Sequence, residues 1–312
     1  MKAAVVSSFD SPPRYEDHPA PVATDEDEIV VDVLAAGLHP RVRSQADGSH
    51  YTSTGELPFV PGVDGVGRGP DGRLRYFVLP DTRLGSFAEQ TVVDVRRSVA
   101  LPDDADPVAV AAAMNPAMSS WIALRRRIAF EAGQRVLVLG ATGNAGRMAV
   151  EVARRLGAAQ IVAAGRDQRR LATLSAVGTT DVVSLEDARR LGEAAARVDV
   201  VLDYVWGAPA AAALVAVVTG RADRGQPLSW IQIGSVAGPD APIPSAALRA
   251  ARLQIVGSGQ GSVSTRDIVA ELPALAAEIT RGTFTIDARP TPLADVERAW
   301  SAPTSQRIVF TP

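Results

Sequence analysis

The chain of 312 residues contains no cysteine. This absence excludes disulfides, thiolate nucleophiles and zinc sites built on cysteine sulfur. Histidine is also scarce, because only His18, His39 and His50 are present. Their scattered positions do not match the spacing of a zinc-binding motif, so the sequence predicts no metal site.

Long apolar runs and a strong charge of one sign are missing too. No stretch approaches the roughly 20 apolar residues that span a bilayer, and the N-terminal MKAAVVSSFDSPP has no apolar segment long enough for a signal peptide. The net charge of −3 favours no nucleic-acid surface. A hydrophobic share of 46% is ordinary for a globular enzyme. We expect a cytoplasmic protein with neither a nucleic-acid nor a membrane partner.

Two patterns divide the chain. Up to about residue 101, short β-type runs alternate with Pro, Gly and Asp clusters, which predicts a curled antiparallel sheet. An alanine-rich helix is expected over 106–127, and from residue 135 onward apolar strands alternate with segments of helix length. That alternation predicts a doubly wound parallel sheet in an α/β protein. The six expected strands are Arg135–Leu139, Gln160–Ala164, Asp181–Val183, Asp199–Leu202, Trp230–Ile233 and Leu253–Gly257.

The residues after Ser264 are expected to leave this parallel sheet. A helix is predicted over Asp267–Arg281, and a terminal apolar run, RIVF, begins at Arg307. A late strand of this kind often returns to an earlier sheet. We therefore predict a discontinuous domain of residues 1–112 with 265–312, and a second domain of residues 113–264.

A glycine turn follows the first parallel strand. The run VLVLGATGNAG, Val136 to Gly146, is a buried strand followed at once by a turn and a helix. Its spacing, G-x-x-G-x-x-G, departs from G-x-G-x-x-G, and an empty structural turn is the competing interpretation. The complete unit favours a dinucleotide site, in which amide groups at the helix N-terminus meet a pyrophosphate. The candidate residues are Gly140, Thr142, Gly143, Asn144, Ala145 and Gly146.

The end of the second parallel strand indicates which dinucleotide is bound. NAD enzymes usually place a carboxylate there for the ribose 2′-hydroxyl, whereas this chain has Ala164 and Gly165, followed by Arg166 and Arg169. Guanidinium groups suit a 2′-phosphate, so the segment predicts NADPH. Two other interpretations stay open: the arginines form only a solvated helix start, or Asp167 is a displaced ribose ligand.

Several motifs together resemble a known family. They are MKAAV at the start, AAGLHPRVR from Ala35, LPFVPGVDGVG from Leu57, GSFAEQTVV from Gly85, MNPAMSSWIAL from Met114, and RIVFTP at the end. In content and order they resemble the medium-chain dehydrogenase/reductase superfamily, in its quinone oxidoreductase branch, over nearly the full chain. The resemblance implies a GroES-like β-rich catalytic domain fused to a Rossmann domain, an active site in the cleft between them, and a homodimer.

The resemblance also implies roles for single residues. Ser119 is expected to contact the cofactor near its nicotinamide, and Tyr51 and Asn115 to face the substrate. The Gly-His-Glu element that binds zinc in the alcohol dehydrogenases of this superfamily reads Gly62-Val63-Asp64 here, which implies a zinc-free enzyme. Further cofactor contacts are implied for Val205, Gly207, Gly234, Ser235, Gly257, Ser258 and Arg307.

Two of these candidate residues have open roles. His39 stands where the family commonly has Asn, and it either donates a proton to substrate or is a hydrogen-bonded structural residue. Tyr51 either orients a substrate carbonyl or forms an aromatic wall.

The expected activity is NADPH-dependent transfer of hydride to a quinone or an activated alkene, an α,β-unsaturated carbonyl, without zinc. A reductase of one specific enoyl or enone intermediate of metabolism is the nearest alternative. An NADPH-binding sensor with little turnover is an alternative of another class.

Overall fold

The computed structural model describes residues 1–304 and 306–312, which divide into two compact units. The first unit comprises Met1–Asn115 and Val269–Pro312, and the second comprises Pro116–Ile268. The sequence predicts these boundaries after residues 112 and 264, within four residues of those in the structure.

The first unit is built mainly from antiparallel strands. In chain order they are β1 (Lys2–Val5), β2 (Arg14–Asp17), β3 (Glu28–Gly37), β4 (Asp64–Arg68), β5 (Leu74–Val78), β6 (Gln90–Asp94), β7 (Ser98–Ala100), β14 (Ala288–Pro292) and β15 (Arg307–Thr311). A two-stranded sheet pairs β1 with β2, and a seven-stranded sheet has the order β14-β15-β3-β4-β5-β7, with β6 also paired to β3. Along the middle of β3 buried and exposed residues alternate, as expected for a strand with one face on a core.

The last strand returns to the N-terminal sheet, which confirms that expectation. Strand β15 pairs antiparallel with β3, where Phe310 lies opposite Ala36, and parallel with β14. The terminal apolar side chains complete the core of this unit, where Phe310 meets Phe87 at a ring-centroid distance of 5.0 Å.

The second unit contains the predicted parallel sheet. Each of its six strands lies within two residues of its predicted range: β8 (Arg135–Leu139), β9 (Gln160–Gly165), β10 (Asp181–Ser184), β11 (Val200–Asp203), β12 (Leu228–Gln232) and β13 (Leu253–Gly257). Their order is β10-β9-β8-β11-β12-β13, and every neighbouring pair is parallel. The order reverses direction between β8 and β11, and ligands bind at such a point, beyond the carboxyl ends of the strands.

The helices follow the alanine-rich and amphipathic segments. They are α1 (Pro40–Ala46), α2 (Pro107–Ile122), α3 (Asn144–Arg155), α4 (Gln168–Thr173), α5 (Ala188–Ala194), α6 (Gly207–Gly220), α7 (Ser245–Arg249), α8 (Thr265–Thr280) and α9 (Val296–Trp300). In α3, which follows the glycine turn, Ala149, Val152 and Ala153 share a buried face, as their spacing predicts.

One segment corrects the expectation about apolar length. The helical run Pro107–Arg127, which is α2 with a π-helical turn at Ala123–Arg127, is long and apolar enough by composition to cross a membrane. However, 67% of its most apolar window is buried inside the protein. The alanines that raise its hydropathy, such as Ala112 and Ala113, are core residues, as in the buried central helix of a globular protein.

Candidate functional site

The glycine turn after β8 has a backbone that requires glycine. Gly140 has a φ of +83°, and a Cβ there would lie 3.2 Å from Val205 Cγ2. The amides of Gly140 and Ala141 both donate to the Ala164 carbonyl of β9, at 2.9 and 3.0 Å. These bonds fix the turn at the carboxyl edge of the sheet, beside the residues that follow β11.

The third glycine of the motif allows close packing of α3 on the turn. A Cβ on Gly146 would overlap the Gly140 carbonyl oxygen and lie 2.7 Å from Ala141 Cα. Gly165 plays a similar part for the end of β9, because its Cβ would lie 2.6 Å from Thr142 Cγ2. At Gly146 the overlap is with backbone atoms and excludes a side chain, whereas at Gly165 a side chain would require Thr142 to move.

The N-terminus of α3 is open. Gly143 is its N-cap residue and provides no side-chain cap, so the first amide groups of the helix lack an intrahelical partner. Gly143 and Asn144 are exposed, Ala145 is half-buried, and the Cβ position on Gly143 meets only the Gly140 carbonyl oxygen, at 3.5 Å. Uncapped amides, a helix dipole and bare backbone form a cradle that fits a pyrophosphate.

A cluster of guanidinium groups follows β9. Asp167 is the N-cap of α4 and accepts from the Arg170 amide at 3.1 Å, so its carboxylate is engaged in starting the helix. Arg170 is held by Asp167 and by the Thr142 carbonyl. Arg166 and Arg169 are exposed, and neither guanidinium pairs with another residue in the part of the chain that the structure describes. Two arginines thus remain available to an anion beside Gly165.

Ser119 is fixed by two hydrogen bonds within the second unit. Its hydroxyl donates to the Pro116 carbonyl at 2.7 Å and lies 2.9 Å from the Tyr204 hydroxyl. Burial raises the pKa of Tyr204 to about 12, so it stays protonated at neutral pH. Asn115, which is half-buried, lies one turn before Ser119 on α2.

A buried carboxylate that the sequence reasoning missed anchors the loop after β11. Asp203 Oδ1 accepts from the amides of Val205 and Trp206, at 2.8 and 2.9 Å, and Oδ2 accepts from Trp230 Nε1 at 3.0 Å. Burial raises the pKa of Asp203, while these three bonds oppose that shift. An Asp at the end of an apolar strand, two residues before a turn, was the available signal.

Several candidate residues lie on the loops beyond β11, β12 and β13. Gly207 has a φ of +67°, and a Cβ there would lie 2.8 Å from the Ala237 carbonyl oxygen. A Cβ on Gly234 would lie 2.9 Å from the Tyr204 carbonyl oxygen. Thus the turns after β8, β11 and β12 meet at one edge. Ser235 is exposed beside Gly234. At the edge strand, Ser258 donates its amide to Gln232, and the Gly257 carbonyl accepts from Arg127.

In the first unit, His39 belongs to a buried polar cluster. Its Nε2 lies 2.9 Å from Asp64 Oδ1, and Asp64 Oδ2 accepts from the Tyr76 hydroxyl at 2.7 Å. Both members of the His39–Asp64 pair are 2% exposed. Burial raises the pKa of Tyr76 well above its ordinary value. This geometry favours the structural role for His39, one of the two left open by the sequence.

Arg307 lies near the same cluster. It is buried in β15 and donates from Nη1 to the Leu38 carbonyl at 2.9 Å. Burial lowers its pKa to about 10, and the charge of Asp64 opposes the shift. The side chain therefore ties the last strand to the segment before α1, and a role near the cofactor stays a prediction.

Tyr51 lies on the loop after α1 and is 71% exposed. Its ring stacks on that of His50, with centroids 4.3 Å apart and planes tilted by 31°. The Tyr51 ring is thus an exposed aromatic face of the first unit, and the half-buried His50 ring lies against it.

Among residues 1–304 and 306–312, no three His, Cys, Asp or Glu side chains are grouped to hold a metal ion.

No protein-family model matches this chain. One known protein, however, is similar to it over its whole length. The protein named Probable NADPH-dependent quinone reductase tdiC, from Emericella nidulans, is 32% identical over 359 aligned positions, covering 100% of both chains. The NADPH-dependent alkenal/one oxidoreductase of Arabidopsis thaliana is 28% identical over 162 residues, which span 47% of this chain and 42% of that protein.

A solved structure is similar along the whole chain. The quinone oxidoreductase from Thermus thermophilus, whose structure was also determined as a complex with NADPH, superposes with a TM-score of 0.80 at 25% identity. All of this chain and all of that one are covered.

Proposed function

We propose that this chain, which belongs to the medium-chain dehydrogenase/reductase family, is an NADPH-dependent oxidoreductase that transfers hydride to a quinone or an α,β-unsaturated carbonyl compound. The observation that carries the proposal is the uncapped N-terminus of α3 beside two arginines that pair with no described residue. The full-length similarity to a protein named as an NADPH-dependent quinone reductase supports it.

The cofactor is held by the second unit. The amides at Asn144, Ala145 and Gly146 bind the pyrophosphate, and Arg166 and Arg169 bind the 2′-phosphate. Ser119 lies at the nicotinamide end, and the loops that Asp203 and Gly234 shape lie beside it. Asp167 caps α4 and lies 3.5 Å from Arg170, so a ribose hydroxyl would compete with these partners for its carboxylate, which favours NADPH over NADH.

NADPH, when bound, supplies the hydride. The chain's own residues orient the acceptor and stabilise the negative charge that hydride addition moves onto its carbonyl oxygen. Hydrogen-bond donors such as Tyr51 or Asn115 serve this purpose, and the single proton that completes the reduction comes from solvent. A conjugated acceptor suits a site without a dedicated acid, because the charge that hydride addition creates is delocalised onto the carbonyl oxygen, where hydrogen bonds stabilise it.

The proposed chemistry uses no zinc. The chain has no cysteine, and Asp64, at the place of the zinc-binding Gly-His-Glu element, is committed to His39 and Tyr76. The Asp64 carboxylate therefore has both oxygens occupied by protein partners. We also propose a homodimer in the cytoplasm, which sedimentation and cell fractionation test.

A reductase of one specific enone intermediate is the second candidate. The similarity to the Arabidopsis alkenal/one oxidoreductase favours it, over about half of the chain. The two candidates differ only in which acceptor gives the larger kcat/KM.

The test is steady-state oxidation of NADPH and of NADH against a panel of quinones and enones, with and without a chelator. We expect turnover with NADPH that a chelator leaves unchanged. Loss of activity on chelation contradicts the zinc-free mechanism, and preference for NADH contradicts the role of the arginines. Absence of turnover with every acceptor supports the sensor alternative instead.

A further inference from the structure

The loop that carries Tyr51 is held by a chain of polar contacts in the first unit. Arg41 Nη2 donates to both oxygens of Asp81, at 2.5 and 2.7 Å, and to Thr52 Oγ1 at 3.0 Å. The side chains of Arg41 and Asp81 are each 16% exposed, so the pair is largely shielded from water. Thr52 is thereby fixed from the interior of the unit.

His50 is fixed at both its backbone and its ring. Its amide donates to Ser44 O at 3.0 Å, and its carbonyl accepts from the Ser53 amide at 2.9 Å. Nδ1 lies 2.7 Å from Thr52 Oγ1 and accepts from the Thr52 amide at 3.2 Å. The imidazole is therefore held in one orientation against the Tyr51 ring.

These contacts decide where the imidazole proton lies. An amide N–H directed at Nδ1 requires a lone pair on that nitrogen, and Thr52 Oγ1, which accepts from Arg41, has its own proton to donate to Nδ1. The ring is then neutral and carries its proton on Nε2. Burial and the charge of Arg41 lower the pKa of His50 to about 4, while Asp81 opposes the shift, in agreement with a neutral ring at pH 7.

The Nε2–H group is left without a protein acceptor. No residue in the described ranges accepts a hydrogen bond from Nε2, and the side chain is half-buried rather than enclosed. A donor of fixed direction, on a ring stacked against an exposed aromatic, suits a flat ligand with a carbonyl oxygen at its edge.

We propose that His50 binds the acceptor's carbonyl oxygen through its Nε2–H, and that Arg41, Asp81 and Thr52 position this donor. The proposal rests on the proposed function, which it deepens by adding His50 to Tyr51 and Asn115 as a donor to that oxygen. When hydride adds to the acceptor carbon, the electron pair moves to that oxygen, and the Nε2–H bond strengthens. No proton leaves the neutral imidazole, which acts as an electrophile, and solvent protonates the product.

The first test is nitrogen NMR of the ¹⁵N-histidine-labelled protein, in which only three histidines contribute. A His50→Phe spectrum assigns the His50 signals. We expect a neutral ring protonated at Nε2 at pH 7, and a change at Nε2 when 1,4-naphthoquinone is added. A ring protonated at Nδ1, or an Nε2 signal that naphthoquinone does not move, overturns the proposal.

The second test separates the donor from the ring. His50→Phe keeps the stack on Tyr51 and removes the donor, and we expect kcat/KM for naphthoquinone to fall about 100-fold. His50→Gln restores an N–H near Nε2 and should recover most of that loss. His18→Phe, a matched substitution in the same unit, should behave as wild type.

The melting temperature and the NADPH dissociation constant confirm that each variant is folded. Equal kcat/KM for His50→Phe and wild type, or for His50→Gln and His50→Phe, overturns the proposal. If the wild type oxidises no NADPH, the proposed function fails, while the NMR result still decides whether His50 binds a quinone oxygen.

Discussion

Removing both exposed guanidinium groups beside Gly165 should convert the cofactor preference. In the double variant Arg166→Ala, Arg169→Ala, the helix cap Asp167 and its partner Arg170 are retained. Because both side chains are exposed and unpaired with any described residue, their loss breaks no hydrogen bond or ion pair among residues 1–304 and 306–312. The change therefore removes charge from the 2′-phosphate site without disturbing the turn.

The magnitude follows from the exposure of the two side chains. A charge-assisted hydrogen bond contributes about 1.5–3 kcal/mol, and water competition places an exposed one at the low end. At about 1.4 kcal/mol each, every lost arginine raises the NADPH KM about tenfold, and the pair about 100-fold. The NADH KM should change by no more than about twofold, as for a neutral surface substitution.

The assay is initial-rate oxidation of each cofactor at saturating quinone. Arg189→Ala is the matched control, because Arg189 is an exposed arginine on α5, away from α4, where it pairs with Glu193 of the same helix. This substitution should leave the KM values for NADPH and NADH unchanged. Equal losses for NADPH and NADH, or no loss for either, would refute the assignment of these arginines to the 2′-phosphate.

Three further predictions concern the fold around the site. Gly146→Ala should abolish measurable NADPH binding in a calorimetric titration, because the new methyl group overlaps the backbone of the turn. Asp203→Asn should lower the free energy of unfolding by about 2 kcal/mol, because the new amide directs its own N–H groups toward one of the three N–H donors that the carboxylate now accepts. The control substitution Asp181→Asn, at the surface, should lower it by less than about 1 kcal/mol. Equal denaturation midpoints for the two variants would contradict this. The pKa of His50 falls from 6.5 to about 4 on folding, so the unfolded chain takes up the proton first, and stability declines as the pH falls from 6.5 to 4. His50→Gln should lack that part of the decline in melting temperature, and identical pH profiles would show that His50 does not titrate in this window.

The parallel sheet could be predicted from the sequence because its central strands are continuous apolar runs. Strand β8, Arg135–Leu139, is buried in four of its five positions, and such runs alternate visibly with helices. In the first unit, by contrast, strand β2, Arg14–Asp17, whose sequence is RYED, is largely exposed and carries no apolar pattern. Its pairing with β1 comes from tertiary structure, which local periodicity does not encode.

The candidate site likewise contains residues whose roles the sequence predicts and residues whose contacts arise only on folding. The roles of Gly140 and Gly146 follow from a motif, because positive φ and close packing leave only glycine. The Asp203 anchor and the Thr52–His50 contact depend on which side chains meet after folding. His50 and Arg41 are nine residues apart with no recognisable spacing, so only the folded loop brings their chemistry together.

The central claim is two-electron transfer from NADPH to a conjugated carbonyl, and an anaerobic product analysis tests it most directly. The protein is mixed with 4-deuterated NADPH of each stereochemistry and with an enone, and the reduced product is examined by mass spectrometry. The account predicts one product molecule for each NADPH oxidised, with deuterium transferred to the acceptor carbon from one of the two forms only. Oxidation of NADPH with deuterium in the product from neither form, or no oxidation at all, would contradict it.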